Sequence, residues 1–215
     1  MTAARVMTVG KAIQAHTDVM IETSFEAVAS RSQRTPTDLQ RFAKFIGPDI
    51  LKRDGSWIVG GTVRRALEAV ESHADIDIYS ATPEARDETR NRLKWTRFEF
   101  QREQNQCEVW RRENWRVDLS GRIFCEAPEK WIADYTICQF VVFYDGDDLR
   151  LMYGEHSMHD LMHRLLMPQE AGVYSLDKLT MRARKYHHQG FVITPQSMAE
   201  MARIIRAKPH LLQEL

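Results

Sequence analysis

Apolar and polar residues alternate through the middle of the chain, whereas apolar residues recur at helical spacing towards both ends. The alternation is clear in residues 75–79, 97–100, 106–111 and 115–120, and residues 57–59 form a short apolar run. A period of two residues is typical of strands with one buried face, and a period of three to four is typical of amphipathic helices. The pattern therefore predicts an α+β fold with a central sheet and flanking helices.

Helix and turn signals refine this outline. Apolar positions in residues 6–29 have helical spacing, and Thr35-Pro36-Thr37-Asp38 combines a capping Thr, an early Pro and an acid, as at a helix start. A further helix is predicted over residues 83–94. The apolar stretch 135–144 predicts a buried strand that ends in a hairpin turn at Asp145-Gly146. Beyond residue 156 the pattern is helical, with breaks at Pro168, Gly190 and Pro195.

These elements suggest three segments. We expect an N-terminal helical segment at 1–50, a head domain at 51–153 and a helical, neck-like extension at 154–215. The chain has 215 residues, which is enough for one domain with a small extension.

Composition excludes several classes of protein. Hydrophobic residues make up 43% and charged residues 28% of the chain, as in ordinary soluble proteins. The longest apolar run, residues 137–144, is far shorter than the roughly 20 residues that span a bilayer. The three cysteines match neither a disulfide framework nor a CxxC metal pair. Because the N-terminus also lacks a continuous hydrophobic stretch, we expect a cytoplasmic protein that does not bind membranes.

Positive charge is concentrated near the C-terminus. The net charge is +0, so the chain as a whole does not attract nucleic acid. Within residues 178–208, however, only Glu200 opposes a cluster of basic residues, namely Lys178, Arg182, Arg184, Lys185, Arg203, Arg206 and Lys208. Such a cluster is often only a solvated surface. Together with the chemistry below, it predicts that RNA binds to the basic C-terminal helices.

A phosphate loop is the first chemical signal. The apolar run 57–59 leads into Gly60-Gly61-Thr62, and apolar residues at helical spacing follow. A strand that turns into a helix through glycines offers free backbone N–H groups to a phosphate. Two glycines alone are more often an ordinary turn, so this signal depends on the next one.

Three aspartates form the second signal. Asp75 and Asp77 are two residues apart on a predicted strand, so their side chains share one face. Asp118 lies on a later strand, on the polar face of the alternating segment 115–119. Carboxylates that share a face repel one another unless a cation lies between them, and Mg²⁺ prefers oxygen ligands and phosphates. The pattern predicts a catalytic cluster that holds two Mg²⁺ ions, one at the attacking hydroxyl and one at the triphosphate.

The order of these motifs resembles the DNA polymerase β superfamily. More narrowly, Gly60-Gly61-Thr62-Val63-Arg64 followed by Asp75-Ile76-Asp77 resembles the head of bacterial poly(A) polymerases and CCA-adding tRNA nucleotidyltransferases. Residues 134–137 are similar to the DFTI segment of these enzymes. Residues 182–193 are similar to the RAxRF…GF segment that opens their helical neck. The resemblance covers roughly residues 57–195.

The resemblance implies a mixed-sheet head with a helical neck, and an enzyme that moves an NMP from an NTP to a hydroxyl with release of pyrophosphate. It implies an RNA 3′ end as the acceptor. Gly60, Gly61 and Thr62 would hold the triphosphate, while Asp75 and Asp77 would bind metal and Asp118 would be the third ligand or the base. It also implies nucleotide contacts from Arg64, Asp134, Thr136, Arg182 and Arg184.

Some positions depart from the family pattern, and they leave alternatives open. Arg65 replaces an acidic residue, and residues 176–180 keep only the Asp of the EDxxR motif that reads the incoming base. The sequence therefore does not specify the nucleotide. A protein side chain as the acceptor and a nucleotide- or RNA-binding module without catalysis are the two alternative functions. His159 and His163 share a helix face that could hold zinc, although an ordinary surface helix is favoured because the HExxH signature is absent.

Overall fold

Eight strands of the chain form a single sheet in the computed structural model, which describes residues 19–29, 37–70, 75–104 and 106–214. The strands are β1 (Met20–Ser24), β2 (Ser56–Val59), β3 (Ile76–Ser80), β4 (Glu99–Gln104), β5 (Cys107–Arg112), β6 (Trp115–Phe124), β7 (Phe140–Asp145) and β8 (Asp148–Gly154). The helices are α1 (Phe25–Ala29), α2 (Asp38–Ile46), α3 (Gly61–Leu67), α4 (Pro83–Trp95), α5 (Ser157–Met162), α6 (Leu176–His188) and α7 (Pro195–Ala207).

The sheet is mixed, and its strands run in the order β1-β8-β7-β2-β3-β6-β5-β4. β3 and β6 are parallel, and the other neighbouring pairs are antiparallel. The α+β fold class is therefore confirmed. The parallel pair carries two of the predicted site residues, Asp77 on β3 and Asp118 on β6.

Helices cover one face of this sheet. Phe42 of α2 packs edge-on against Trp115 of β6, with ring centroids 5.5 Å apart. Arg90 of α4 forms an ion pair with Glu108 of β5. Because side chains alternate along a strand, Asp118 points away from the face on which Trp115 lies. The aspartates are therefore on the face opposite these two helices.

The helical prediction for the N-terminus is only partly confirmed. Met20–Ser24 form a strand, β1, and only Phe25–Ala29 are helical, while residues 6–18 lie outside the described residues. All five residues of β1 pair with β8, so strand pairing in the folded protein overrides the local helical spacing. The cap of α2 is Thr37, whose side chain accepts a hydrogen bond from the N–H of Gln40. Thr35 and Pro36 lie outside the described residues.

Two further predictions need correction. The strand predicted over residues 135–144 begins only at Phe140, because Thr136–Cys138 form a 3-10 turn. The hydroxyl of Thr136 donates a hydrogen bond to Asp160, at 2.7 Å, which fixes this turn against α5. The helix predicted from residue 156 stops at Met162, and regular α-helix resumes only at Leu176.

One cluster of buried apolar side chains runs through all three predicted segments. It includes Phe42 near the N-terminus, Ile78 in the sheet and Ile204 in α7. Hydrogen bonds also join the segment before β7 to the C-terminal helices, for example from the hydroxyl of Tyr135 to the carbonyl of Leu179, at 2.7 Å. The division at residues 50 and 153 remains a prediction, since the core does not stop at either boundary.

Across the described ranges, no helix combines the length and the apolar character needed to cross a membrane.

Candidate active site

Strand pairing places Asp77 and Asp118 side by side. The parallel register of β3 and β6 pairs Asp77 with Asp118, and Ile76 with Val117. Asp75 precedes β3 and has the same side-chain direction as Asp77. Arg116 contacts both Asp75 and Asp118, and the charges of both aspartates act on Asp77, so the three carboxylates lie close together on this face.

Gly60 lies next to this cluster. Its backbone has φ of +74°, a conformation that L side chains rarely adopt. A Cβ added there would be 4.0 Å from Oδ2 of Asp77 and 3.8 Å from the ring of Trp131. The N–H of Gly60 is already used by the carbonyl of Phe140, at 2.9 Å. The loop is thus held in place by β7, and it leaves space directly beside Asp77.

Thr62 and Arg65 complete the loop. The hydroxyl of Thr62 donates a hydrogen bond to the carbonyl of Asp75, which ties the start of α3 to the start of β3. Arg65 donates to the same hydroxyl, at 3.3 Å, and its Nη1 is 3.5 Å from the position of a Cβ on Gly61. Burial, and then the nearby charge of Arg64, lower the pKa of Arg65, while Asp77 partly offsets both effects. Arg65, which stands where the sequence comparison above expects an acidic residue, therefore places a cation beside residues 60–62.

Burial and mutual repulsion disfavour the ionised forms of the clustered carboxylates. Burial, followed by the charges of Asp118 and Asp75, raises the pKa of Asp77 to about 7, although Arg182 and Arg65 oppose this shift. Burial also raises the pKa of Asp118, although hydrogen bonds from Arg116 oppose that effect. These shifts mark a position where a positive ligand would be favourable.

Arg116 is a site residue that sequence reasoning missed. Its guanidinium donates two hydrogen bonds to Asp118, both at 3.0 Å, and its Nη1 is 3.2 Å from Oδ2 of Asp75. Arg116 thus bridges two of the three carboxylates. The signal was present in the sequence, because Arg116 is two residues from Asp118 and so shares its face of the strand.

Helix α6 borders the other side of the cluster. It belongs to residues 154–215, the predicted neck-like extension, which we call the neck. Arg182 forms an ion pair with Asp134, at 2.8 Å, and its charge also reaches Asp77. Tyr79, two residues after Asp77 and on the same face of β3, packs edge-on against Trp131, with centroids 5.9 Å apart. Asp77 therefore lies where the loop, the sheet and the neck meet.

The DFTI-like segment serves mainly to attach the neck. Asp134 is 5% exposed and pairs with Arg182, while its second oxygen, Oδ1, has no hydrogen-bond partner among the described residues. Thr136 bonds to Asp160, and the thiol of Cys138 donates to the hydroxyl of Tyr186, at 3.1 Å. Asp134 thus reaches the carboxylates through Arg182. Thr136 is directed towards α5 instead, and its predicted nucleotide contact remains a prediction.

Arg64 points into the neck. It is 2% exposed, its Nη2 donates to Gln189 at 2.6 Å, and its guanidinium lies 5.1 Å from the ring centre of Tyr186 and 4.9 Å from that of Phe191. The structure does not bring it to the carboxylates. Arg184 is exposed on α6. The nucleotide contacts predicted for both arginines remain predictions.

The residues present fit a divalent metal, although they are not arranged as a finished site. Within residues 19–29, 37–70, 75–104 and 106–214, no three or more His, Cys, Asp or Glu side chains form a ready metal-binding group. His159 and His163, whose ring centroids are 4.3 Å apart, are likewise not part of such a group. Carboxylate oxygens are nevertheless the ligands that Mg²⁺ prefers, and a cation beside Asp77 would offset the burial and the neighbouring carboxylates that raise its pKa.

Solved structures provide the comparison. No family model matches the sequence, and no curated protein does either. The chain is similar to the Thermotoga maritima CCA-adding enzyme complexed with tRNA, with 14% identity and a TM-score of 0.65 over 87% of this chain and 46% of that one. It is also similar to a CCA-adding enzyme in its apo form I, with 14% identity and a TM-score of 0.67 over 91% and 48%. A complex of a CCA-adding enzyme with CTP gives 16% identity and a TM-score of 0.65 over 90% and 49%.

These similarities define the fold. The chain spans about half the length of the structures that it matches. The mixed sheet expected from the resemblance to polymerase β-like nucleotidyltransferases is confirmed. The chain has the α+β fold of the head of CCA-adding tRNA nucleotidyltransferases.

Proposed function

We propose that this protein transfers a nucleoside monophosphate from an NTP to a hydroxyl group, with an RNA 3′ end as the acceptor. One observation carries the proposal: Asp75, Asp77 and Asp118 share a sheet face beside Gly60. The space next to Gly60, the neighbouring carboxylates and the cations Arg65 and Arg182 suit a triphosphate with its metal. The similar structures support this choice, since one contains tRNA and another contains CTP.

The metal would be held by Asp75, Asp77 and Asp118. When bound, Mg²⁺ supplies positive charge to the triphosphate and makes the acceptor hydroxyl more acidic. We propose two such ions. Arg116 must then give up its contacts with Asp75 and Asp118, at least in part, because the same oxygens would become ligands.

The reaction forms one bond and breaks one. The acceptor oxygen bonds to the α-phosphorus, the bond from that phosphorus to the bridging oxygen breaks, and pyrophosphate leaves. We assign Asp118 to accept the hydroxyl proton, because Asp118 lies on the side of the cluster away from Gly60. Arg65 and Arg182 would hold the triphosphate on the opposite side, where their charges already reach Asp77.

A labelling experiment tests the proposal. The protein is incubated with Mg²⁺, each α-labelled NTP in turn and a mixture of small RNAs, and RNA and protein fractions are then separated. We expect label at RNA 3′ ends, a large loss of label in Asp77→Asn, and no loss in Asp147→Asn, which changes an exposed acid in the β7–β8 turn.

The other outcomes are equally informative. Label on protein and never on RNA would keep the chemistry but replace the acceptor. NTP binding without transfer to either fraction would leave a binding module, and the proposed activity would be wrong.

A further inference from the structure

Three arginines continue the sheet face that carries the carboxylates. Arg116 on β6 pairs directly with Arg111 on β5, and Arg102 on β4 is opposite Val109, which in turn pairs with Asp118. Directly paired residues on neighbouring strands point to the same face of a sheet. We call Arg102, Arg111 and Arg116 the arginine strip.

The strip leads away from the cluster in a defined direction. Neighbouring strands are about 4.8 Å apart, so the strip extends roughly 10 Å from β6 to the edge strand β4. One row of paired residues runs from Arg102 through Val109 and Asp118 to Asp77. A chain that crossed the strip along this row would end at the carboxylates.

The outer part of the strip is positively charged and exposed. Among the described residues, neither Arg102 nor Arg111 has an ion-pair partner, and Arg102 donates only to the side-chain oxygen of Gln104, at 3.0 Å. The nearby acids are Glu99, which pairs across the strands with Arg111, and Glu113 at the rim. These two acids reduce the charge of the strip, but they do not form ion pairs with it.

The strip is also concave. A shallow basin of about 220 Å³ is lined by Asp75, Arg111 and Arg116 among others, and an adjoining basin of about 180 Å³ is lined by Arg102, Arg111 and Arg116 among others. The two basins share Arg111 and Arg116. Side by side, they extend from Arg102 on the edge strand β4 to Asp75.

The basic C-terminal segment offers less available charge than its sequence suggests. Arg182 pairs with Asp134, and Arg203 pairs with Glu170 and Glu200. Lys208 donates to backbone carbonyls, including that of Val173, at 2.7 Å. Three of the seven basic residues of this segment are therefore engaged in contacts within the protein.

We propose that the arginine strip binds the sugar-phosphate backbone of a single-stranded RNA whose 3′ hydroxyl lies at the carboxylates. This inference rests on the proposed function and names the surface that its acceptor uses. A guanidinium pairs well with phosphate oxygens, and a polyanion supplies a charge for each cation along one path. A protein acceptor would instead need acidic residues at the same intervals.

RNA binding without catalysis tests this inference. Binding of a fluorescent 12-nucleotide single-stranded RNA to the full chain is followed by anisotropy, without NTP or Mg²⁺, at several salt concentrations. Each phosphate contact on a single strand contributes about 0.7 to the slope of log K against log salt. The variant Arg102→Gln/Arg111→Gln is expected to lower the magnitude of that slope by about 1.4 and to weaken binding on the order of tenfold or more at 0.1 M salt.

Two matched double variants complete the test. Arg102→Lys/Arg111→Lys keeps the charges and is expected to keep most of the salt slope. Lys185→Gln/Arg206→Gln removes two exposed charges from α6 and α7 and is expected to leave the slope unchanged. Equal thermal stability of all variants ensures that folded proteins are compared.

The results separate this inference from the proposed activity. A loss of slope in the α6–α7 variant but not in the strip variant would overturn the inference, as would wild-type protein that binds no RNA or labels only protein. RNA binding through the strip by a chain that transfers no nucleotide would instead reject the proposed activity. Transfer to RNA with an unaffected strip variant would reject only the strip.

Discussion

Replacing Asp77 by Asn is expected to stabilise the metal-free protein and to abolish nucleotidyl transfer. Burial and two neighbouring carboxylates raise the pKa of Asp77 from 3.8 to about 7, so the folded protein holds its ionised form at a cost. Asn keeps the shape of the side chain and removes the charge. In the proposed activity, a bound metal would supply the positive charge that favours the ionised form of Asp77, so the stability lost at this position would serve binding.

The sign of the pH dependence follows from the raised pKa. Between pH 4 and 7 the folded state binds a proton that the unfolded state has released, so stability is highest below the unfolded pKa and falls as the pH rises towards the folded one. At about 1.4 kcal/mol per pKa unit, the shift limits the loss of unfolding free energy caused by ionised Asp77 to about 4 kcal/mol. Asp77 keeps some solvent contact, which screens its charge. We therefore expect Asp77→Asn to be more stable than the wild type by about 2 kcal/mol at pH 8.

Urea unfolding at pH 5, 6.5 and 8 measures this effect. Without divalent ions, Asp77→Asn is expected to exceed the wild type in free energy of unfolding at pH 8 and to lose most of that advantage at pH 5. Asp147→Asn is the exposed control and should show neither effect. Added Mg²⁺ should stabilise the wild type more than Asp77→Asn, because binding to the folded state alone adds to its stability. An Asn variant that is less stable at pH 8, or whose advantage does not vary with pH, would refute the reasoning.

Three further changes test the framework around the site. Thr37→Ala removes the capping box of α2 and is expected to lower the free energy of unfolding by about 1 kcal/mol in urea, whereas an equally stable variant would contradict the capping role. Gly60→Ala forces a side chain into φ of +74° and should lower the free energy of unfolding by about 1 kcal/mol or more. Gly61→Ala should lower it less, because the φ of Gly61 is not positive. The reverse order in thermal unfolding would be evidence against this account. Gln139→Leu leaves a buried N–H and a buried carbonyl of the loop before β7 without partners, and we expect a loss of about 2 kcal/mol or more in the same measurement. Unchanged stability would mean that these groups find other partners.

The sheet could be predicted where one face of each strand is buried. β3 and β6 alternate in sequence because their apolar residues meet the helices while their polar residues face the site. α4 could be predicted because Thr82 caps it and Pro83 opens it. β1 could not be predicted, because its partner β8 is about 130 residues away in sequence and residues near the N-terminus give no sign of that pairing.

The part of the site that depends on the alternation of side chains along a strand could be predicted from the sequence. Two residues of spacing put Asp75 and Asp77 on one face, and the same parity put Arg116 with Asp118. The targets of the long side chains could not be predicted, since a guanidinium several bonds from its backbone can reach in many directions. Arg64 and Arg65 are adjacent, yet Arg64 is buried against the rings of Tyr186 and Phe191 while Arg65 donates a hydrogen bond to Thr62.

The charges around the carboxylates fall into two groups, and this division supports a reaction between two anionic substrates. Arg65 and Arg182 lie on the side of the loop and of α6, where their charges offset part of the rise in the pKa of Asp77. The arginine strip lies on the opposite side, where Arg116 and Arg102 offset part of the rise in the pKa of Asp118. A triphosphate and a phosphodiester chain would repel each other in solution, and each needs its own cations at the point of reaction. The fold provides these cations on separate elements, so loss of Arg102 and Arg111, the outer part of the strip, should weaken RNA binding while leaving NTP binding intact.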